Sequence, residues 1–248
     1  QRSTQRSSSE ASDGDRRQGK GQASRNLHDW ARSYGIRDGE TLLRTIFNNW
    51  EATGMDTSDG RIIPFLQPAK DLGFELFLLD DCWFGSPTKA RILGEWDVTP
   101  IRHPNGMTPI IKAAEKTGID FGLWVEMEMA NPEARLVTEH PDWLLHEPNR
   151  ELHLQRGQYV LDLSNPEVQE FCINAFNKVL TDSPGISFVK WDCNSPCHNP
   201  YSHYLGKNQQ HLWYEYTLGL YNIFSGCVKA NPDLQMMLCS AGGGRCDY

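Results

Sequence analysis

No stretch of this 248-residue chain approaches the unbroken apolar run needed to cross a bilayer, and no apolar segment follows the arginines near its start. Neither a membrane partner nor an export signal is therefore expected, and a cytoplasmic location is the natural expectation. A concentrated basic surface is also missing. The formal net charge is −8, which argues against a protein that displaces counterions from a nucleic-acid backbone. Glycine-rich phosphate cradles are absent too: neither GxGxxG nor GxxxxGK[ST] follows the first apolar run, which lowers the nucleotide-binding alternative. Cysteine does not follow the even, closely spaced framework of a small secreted domain. Its seven copies stand at 82, 172, 193, 197, 227, 239 and 246, and reduced thiols are expected. Cys193, Cys197, His198 and His203 are residue types that bind zinc, but their spacing fits no zinc motif. They read better as polar loop residues near a site, so no metal and no cofactor is expected.

What is present is a chain with 39% hydrophobic residues, long enough to bury a large core. Residues 1–26 are rich in Ser, Gln, Arg and Gly, with Ala11 and Ala23 their only aliphatic side chains before Leu27, and cannot offset the entropy of ordering. Residues 1–40 are expected to be a disordered or polar leader, and residues 41–248 the folded part. From there, short apolar runs alternate with segments of helical spacing: Thr45 to Asn48, Glu75 to Leu79, Phe121 to Val125, Tyr159 to Leu163, Ile186 to Trp191 and Gln235 to Cys239. Consecutive apolarity predicts strands buried on both faces. Thr108-Pro109, Asn131-Pro132 and Asn165-Pro166 read as helix starts, a capping residue followed by proline. Val168, Phe171, Cys172, Ala175, Phe176, Val179 and Leu180 form one apolar stripe ended by Ser183-Pro184-Gly185.

Repeated strand, helix, strand units leave an open doubly wound sheet or a closed barrel, and without a phosphate signature the barrel is favoured. The expected fold class is α/β, a (β/α)8 TIM barrel. In such barrels the reacting groups stand at the C-terminal strand ends. Here those ends offer Asp80 and Asp81, Trp124 with Glu126 and Glu128 beyond it, Asp162, Lys190 with Asp192, and Cys239 before a Gly-rich run. Indole faces stack on pyranose rings and carboxylates take hydroxyl hydrogens, so this is the composition of a sugar site. Any one of these acids could instead cap the following helix. Five such ends together favour the site.

The segments FNNWEA (47–52), LFLLDDCWFG (76–85), FGLWVEMEM (121–129), YVLDLSNPEV (159–168), FVKWDCN (188–194) and CSAGGGR (239–245) resemble glycoside hydrolase family 36, which contains bacterial α-galactosidases. The resemblance runs in the family's order over roughly residues 44–248. It implies that Asp192 of the KWD segment is the nucleophile of a retaining, double-displacement hydrolase that removes terminal α-linked galactose from oligosaccharides. It implies binding roles for Asp80, Asp81, Trp124, Arg156, Lys190, Asn194, Cys239 and Gly242. An inert buried thiol is the alternative for Cys239. Lys190 and Asp192, two apart on a strand, should point to one side, with Trp191 outward in the helix layer. Glu126 and Glu128 are not read as an acid and base, and Glu128 is expected to support the site or bind ligand. The resemblance is compatible with a homo-oligomer in a full-length form.

Departures matter. The family's acid/base lies in an SDNTD-like motif beyond the CSGGGGR-like segment, and no residue of this sequence matches it. With six runs accounted for, a barrel cut off after about six strands and inactive by itself is expected, in a gene fragment or shortened form. Cys82 and Ala241 stand where glycine is usual, and Met127 where proline is usual. N-acetylgalactosamine removal, galactosyl transfer and non-catalytic sugar binding remain open alternatives.

Overall fold

The computed structural model describes residues 19–151 and 154–244. The chain divides into two compact units, one comprising residues 1–43 with 246–248 and the other Arg44–Arg245. Residues 1–18 of the expected leader lie outside the described residues. The second half of that leader carries helical structure. Lys20–Trp30 forms helix α1, and one wide turn follows over Ala31–Gly35. This helix buries none of its residues. It is supported by polar pairs at helical spacing, Gln22 to Asn26 at 2.8 Å and Arg25 to Gln22 at 2.7 Å, a local device that a search for apolar periodicity overlooks.

The second unit runs in the order β1 (Ile46–Asn48), α2 (Trp50–Thr53), α3 (Asp59–Asp71), β2 (Leu76–Leu79), α4 (Thr108–Thr117), β3 (Asp120–Val125), β4 (Met129–Ala130), α5 (Arg135–Glu139), β5 (Tyr159–Val160), α6 (Pro166–Asp182), β6 (Ile186–Trp191), α7 (Leu212–Ala230) and β7 (Gln235–Leu238). Among the described residues, five strands form one parallel sheet in the order β1-β2-β3-β6-β7. This is a half-barrel with helices on its outer face. No described helix is long and apolar enough to cross a membrane.

One expected barrel strand is not in that sheet. Tyr159–Val160 pairs antiparallel with Met129–Ala130, and β6 lies directly beside β3. Five rather than six of the apolar runs are therefore barrel strands. Leu161 and Leu163 are fully buried, so the run is apolar because it packs under an excursion of the chain, and apolarity alone does not distinguish the two situations. Asn131 likewise is no helix cap, since α5 begins at Arg135. Its side chain ties two loops, accepting from the Leu93 amide at 2.7 Å and donating to the Gly157 carbonyl at 2.7 Å. Asn165 does cap α6, accepting from the Glu167 amide at 2.9 Å.

Strand parity sorts the side chains. Phe47, Phe77 and Phe121 stack in a row towards the helices, with ring centroids 5.4 and 6.5 Å apart, while Leu76, Leu78 and Phe188 form a separate inner layer with Ile46 and Met237. Continuing that inner parity to the C-terminal strand ends reaches Asn48, Asp80, Trp124, Lys190 and Asp192. At the opposite end, Arg44 donates to Gln235 at 2.8 Å, to Ser187 Oγ at 2.8 Å and to Asp120 at 2.6 Å, bracing the starts of three strands.

Helix α7 seats against the chain entering α6 through Gly219, where an added Cβ would lie 1.9 Å from the Leu163 carbonyl oxygen. That backbone cannot yield like a flexible side chain. Gly219→Ala is expected to cost about 2 kcal/mol and to lower Tm by about 4–8 °C in thermal unfolding, despite alanine's better helix propensity.

Candidate active site

Connections at the two ends of the sheet are unequal. Helix-to-strand links such as Gly118–Ile119 and Ser183–Gly185 are tight, whereas the segments leaving the C-terminal ends of β2, β3 and β6 are long excursions. Functional side chains therefore collect where the strands end.

Asp192 follows β6, its amide donating to the Val125 carbonyl at 2.7 Å as a last rung towards β3. Its carboxylate is almost wholly buried. Trp124 Nε1 donates to Oδ2 at 2.9 Å and the Cys193 amide to Oδ1 at 2.9 Å, with Lys190 Nζ 3.9 Å from Oδ2. Burial pushes the Asp192 carboxyl up, but hydrogen bonds from Asn194, Trp124 and Cys239 and the Lys190 charge outweigh it and hold it below the ordinary aspartate range. The group is thus an anion in a nearly dry setting.

Lys190 Nζ donates to Asp80 Oδ2 at 2.9 Å, and Asn48 Nδ2 donates to the same oxygen at 2.7 Å. Burial pulls the Lys190 ammonium down, yet Asp80 and Asp192 raise it above its usual value overall, so it stays charged. Asp81 pairs with Arg91, Nε and Nη2 each 2.8 Å from Oδ2, while its Oδ1 is buried with no donor. Burial raises the Asp81 carboxyl despite that guanidinium.

Trp124 is backed by a parallel stack with Phe84 at 5.9 Å, and its carbonyl accepts from Trp83 Nε1 at 2.8 Å. Cys239 is half-buried and hydrogen-bonded to Asp192, and burial, with that carboxylate, raises it. Asn194 reaches Asp192 and accepts from the Ala241 amide at 3.0 Å, tying the Gly-rich loop to β6. Gly242 has a φ of 96°, and a Cβ there would meet no protein atom within 4 Å. Arg156 is exposed on a turn at φ 55°, and its charge is felt at Glu126.

Glu126 and Glu128 do not share a face. Strand β3 stops at Val125 and the chain turns, so Glu126 lies under the Asn194 loop while Glu128 accepts from Trp191 Nε1 at 2.9 Å and Tyr216 OH at 2.8 Å in the helix layer. Glu128 is wholly buried in that role and is not placed to bind ligand, whereas Trp191 points outward as expected, against Phe176 and Phe224. Asp162 is fixed by Ser164 Oγ at 2.5 Å and by Ser202, well away from the Asp192 set. Asn48 and Arg91 belong to the site without having been singled out. Asn48 sits in a motif read only as strand, and Arg91 in a loop with no periodic signal.

His198 bonds Gln155 and His203 packs on Tyr201. Among the described residues no three His, Cys, Asp or Glu side chains are grouped to hold a metal, and the described cysteines are free thiols.

A parallel half-barrel whose strand ends gather carboxylates, an ammonium and an indole has the architecture of an α/β-barrel enzyme site. A family model described as Melibiase matches residues 11–248, and the chain belongs to that family. It is 39% identical over 214 residues to alpha-galactosidase AgaA of Geobacillus stearothermophilus, covering 86% of this chain and 29% of the relative. To alpha-galactosidase 2 of Hypocrea jecorina it is 37% identical over 243 residues, covering 92% and 31%. The crystal structure of family 36 AgaA superposes with a TM-score of 0.84 at 37% identity, and that of an AgaA variant with raffinose bound with 0.85 at 36%. Each covers 90% of this chain and 32% of the solved one, so the chain spans about a third of these relatives.

Proposed function

We propose that this chain supplies the nucleophile and most of the sugar-binding side of an α-galactosidase site that works by double displacement. Asp192 attacks the anomeric carbon to form a glycosyl-enzyme that water releases. Its low basicity, near-complete burial and three side-chain donors support that role, because a nucleophile here must be ionised and aimed. Lys190 pairs with Asp80 and helps to hold Asp192 ionised, while Asp80 and Asp81 accept galactose hydroxyls. Trp124 forms a wall, and Arg156, Asn194, Cys239 and Gly242 complete the rim. Terminal α-linked galactose on oligosaccharides such as raffinose is the substrate class.

The single observation that carries the reading is the Asp192–Lys190–Asp80 array on one face of the sheet. No residue of this sequence matches the family's acid/base motif, so these 248 residues alone are expected to be inactive or nearly so on substrates whose leaving group needs a proton. A leaving group that departs as a stable anion removes that need. Incubation with 2-deoxy-2-fluoro-α-galactosyl fluoride is expected to label Asp192 covalently, as read by peptide mass spectrometry. Label on another residue would overturn the assignment. Galactose binding without any label would favour a second reading, a non-catalytic sugar-binding chain.

A further inference from the structure

Glu126 has no exposed surface, yet it lies among the loops that bear the sugar-facing groups. Its Oε1 accepts the Asn194 amide at 2.5 Å, and its Oε2 accepts Gln158 Nε2 at 3.3 Å. Asn194 in turn holds Asp192 with its side chain and the Ala241 amide with its Oδ1. Gln158 closes the turn that carries Arg156, its amide donating to the Gln155 carbonyl at 3.0 Å. Three excursions from different strands thus meet at one carboxyl.

We propose that Glu126 is a positioning residue that fixes the Asn194 peptide and, through it, the orientation of Asp192 and the seat of the Ala241–Gly243 backbone. This rests on Asp192 being the nucleophile. A side chain with no exposure touches no sugar, so its effect passes through Asn194. Losing it leaves the Asn194 amide without its acceptor and frees the peptide that aims Asp192.

The same carboxyl is also a charge control. Asp192 faces it from the end of β6 and Asp81 from the end of β2, opposed by Arg156 from the turn before β5 and Arg91 from the loop after β2. Burial above all, offset in part by the Asn194 amide and reinforced by Asp192 and Asp81, pushes Glu126 up to about 7. Below that pH it is neutral, and after a flip of the amide the buried Gln158 Oε1 can accept a hydrogen bond from its hydroxyl. Above it, a second negative charge stands beside the nucleophile.

The test follows the rate of covalent labelling by 2-deoxy-2-fluoro-α-galactosyl fluoride, with intact mass as readout, from about pH 5 to 9, alongside calorimetric affinity for galactose. Glu126→Ala is expected to label about 30-fold more slowly at neutral pH while galactose affinity stays within about threefold. Glu126→Gln, the uncharged isostere, keeps an acceptor for Asn194. It should follow the wild-type acid plateau at every pH, whereas the wild type leaves that plateau in one step centred near 7. Wild-type labelling by Glu126→Ala would overturn the positioning role, and the same step surviving in Glu126→Gln would overturn the charge control. An unlabelled Asp192 in the wild type would overturn both readings and mark the nucleophile assignment as the one that failed.

Discussion

Asp192→Ala is expected to abolish covalent labelling of the chain, and to lower kcat/KM by at least about 10⁴-fold in any form that turns over, the scale seen when an attacking group is removed. The substitution deletes a carboxylate that meets Trp124 Nε1, the Cys193 amide and Lys190 together. Nothing nearby can replace it. Asp80 is held by Lys190 and Asn48 on one oxygen and by the Asp81 amide on the other, and Glu126 is wholly buried. Added azide should partly restore reaction with galactosyl fluoride, because a small anion can enter the space left by the carboxylate and attack the same face of the sugar. The product would then be the β-galactosyl azide, identified by its NMR coupling. Labelling that persists in Asp192→Ala, or an α-azide product, would refute the assignment.

Lys190→Met carries the largest expected stability effect. Lys190 and Asp80 have side chains only 14% and 6% exposed, and removal of the ammonium strands a carboxylate in the interior beside a second one. Breaking such a pair from one side costs about 3–5 kcal/mol, and the remaining Asn48 hydrogen bond places this site towards the lower figure. Denaturant unfolding measures it. The double variant Lys190→Met with Asp80→Asn should recover most of the loss, since no uncompensated charge is then buried. Equal instability of the single and double variants would mean that packing of the lysine stem, not charge, holds this part of the sheet.

Much of this was legible from residue order. Asp80 and Asp192 were legible as polar residues ending apolar runs, strand parity put Lys190 and Asp192 on one side, and alternation of strands and helices pointed to a barrel of parallel strands. What escaped has a physical cause in each case. Tyr159–Leu163 is as apolar as a barrel strand because an excursion buries it, and its pairing with β4 depends on hydrogen bonds that composition does not encode. Glu126 and Glu128 diverge because β3 ends one residue before them, and strand ends are set by tertiary partners. Helix α1 is supported by side-chain pairs rather than an apolar stripe. Arg91 reaches Asp81 from a loop in which residue spacing carries no geometric information.

The Arg44 brace stands at the far end of the same strands that present Lys190 and Asp192. The six residues of β6 span about 20 Å, and Arg44 shares no partner with Lys190 or Asp192 among the ion pairs of the described residues. Firmness and chemistry therefore occupy separate addresses on one polypeptide ribbon. Such a layout lets the foundation drift in sequence, or be reinforced by an engineer, while the working end is left alone. It also lets the working end be rebuilt for another sugar without loosening what holds it.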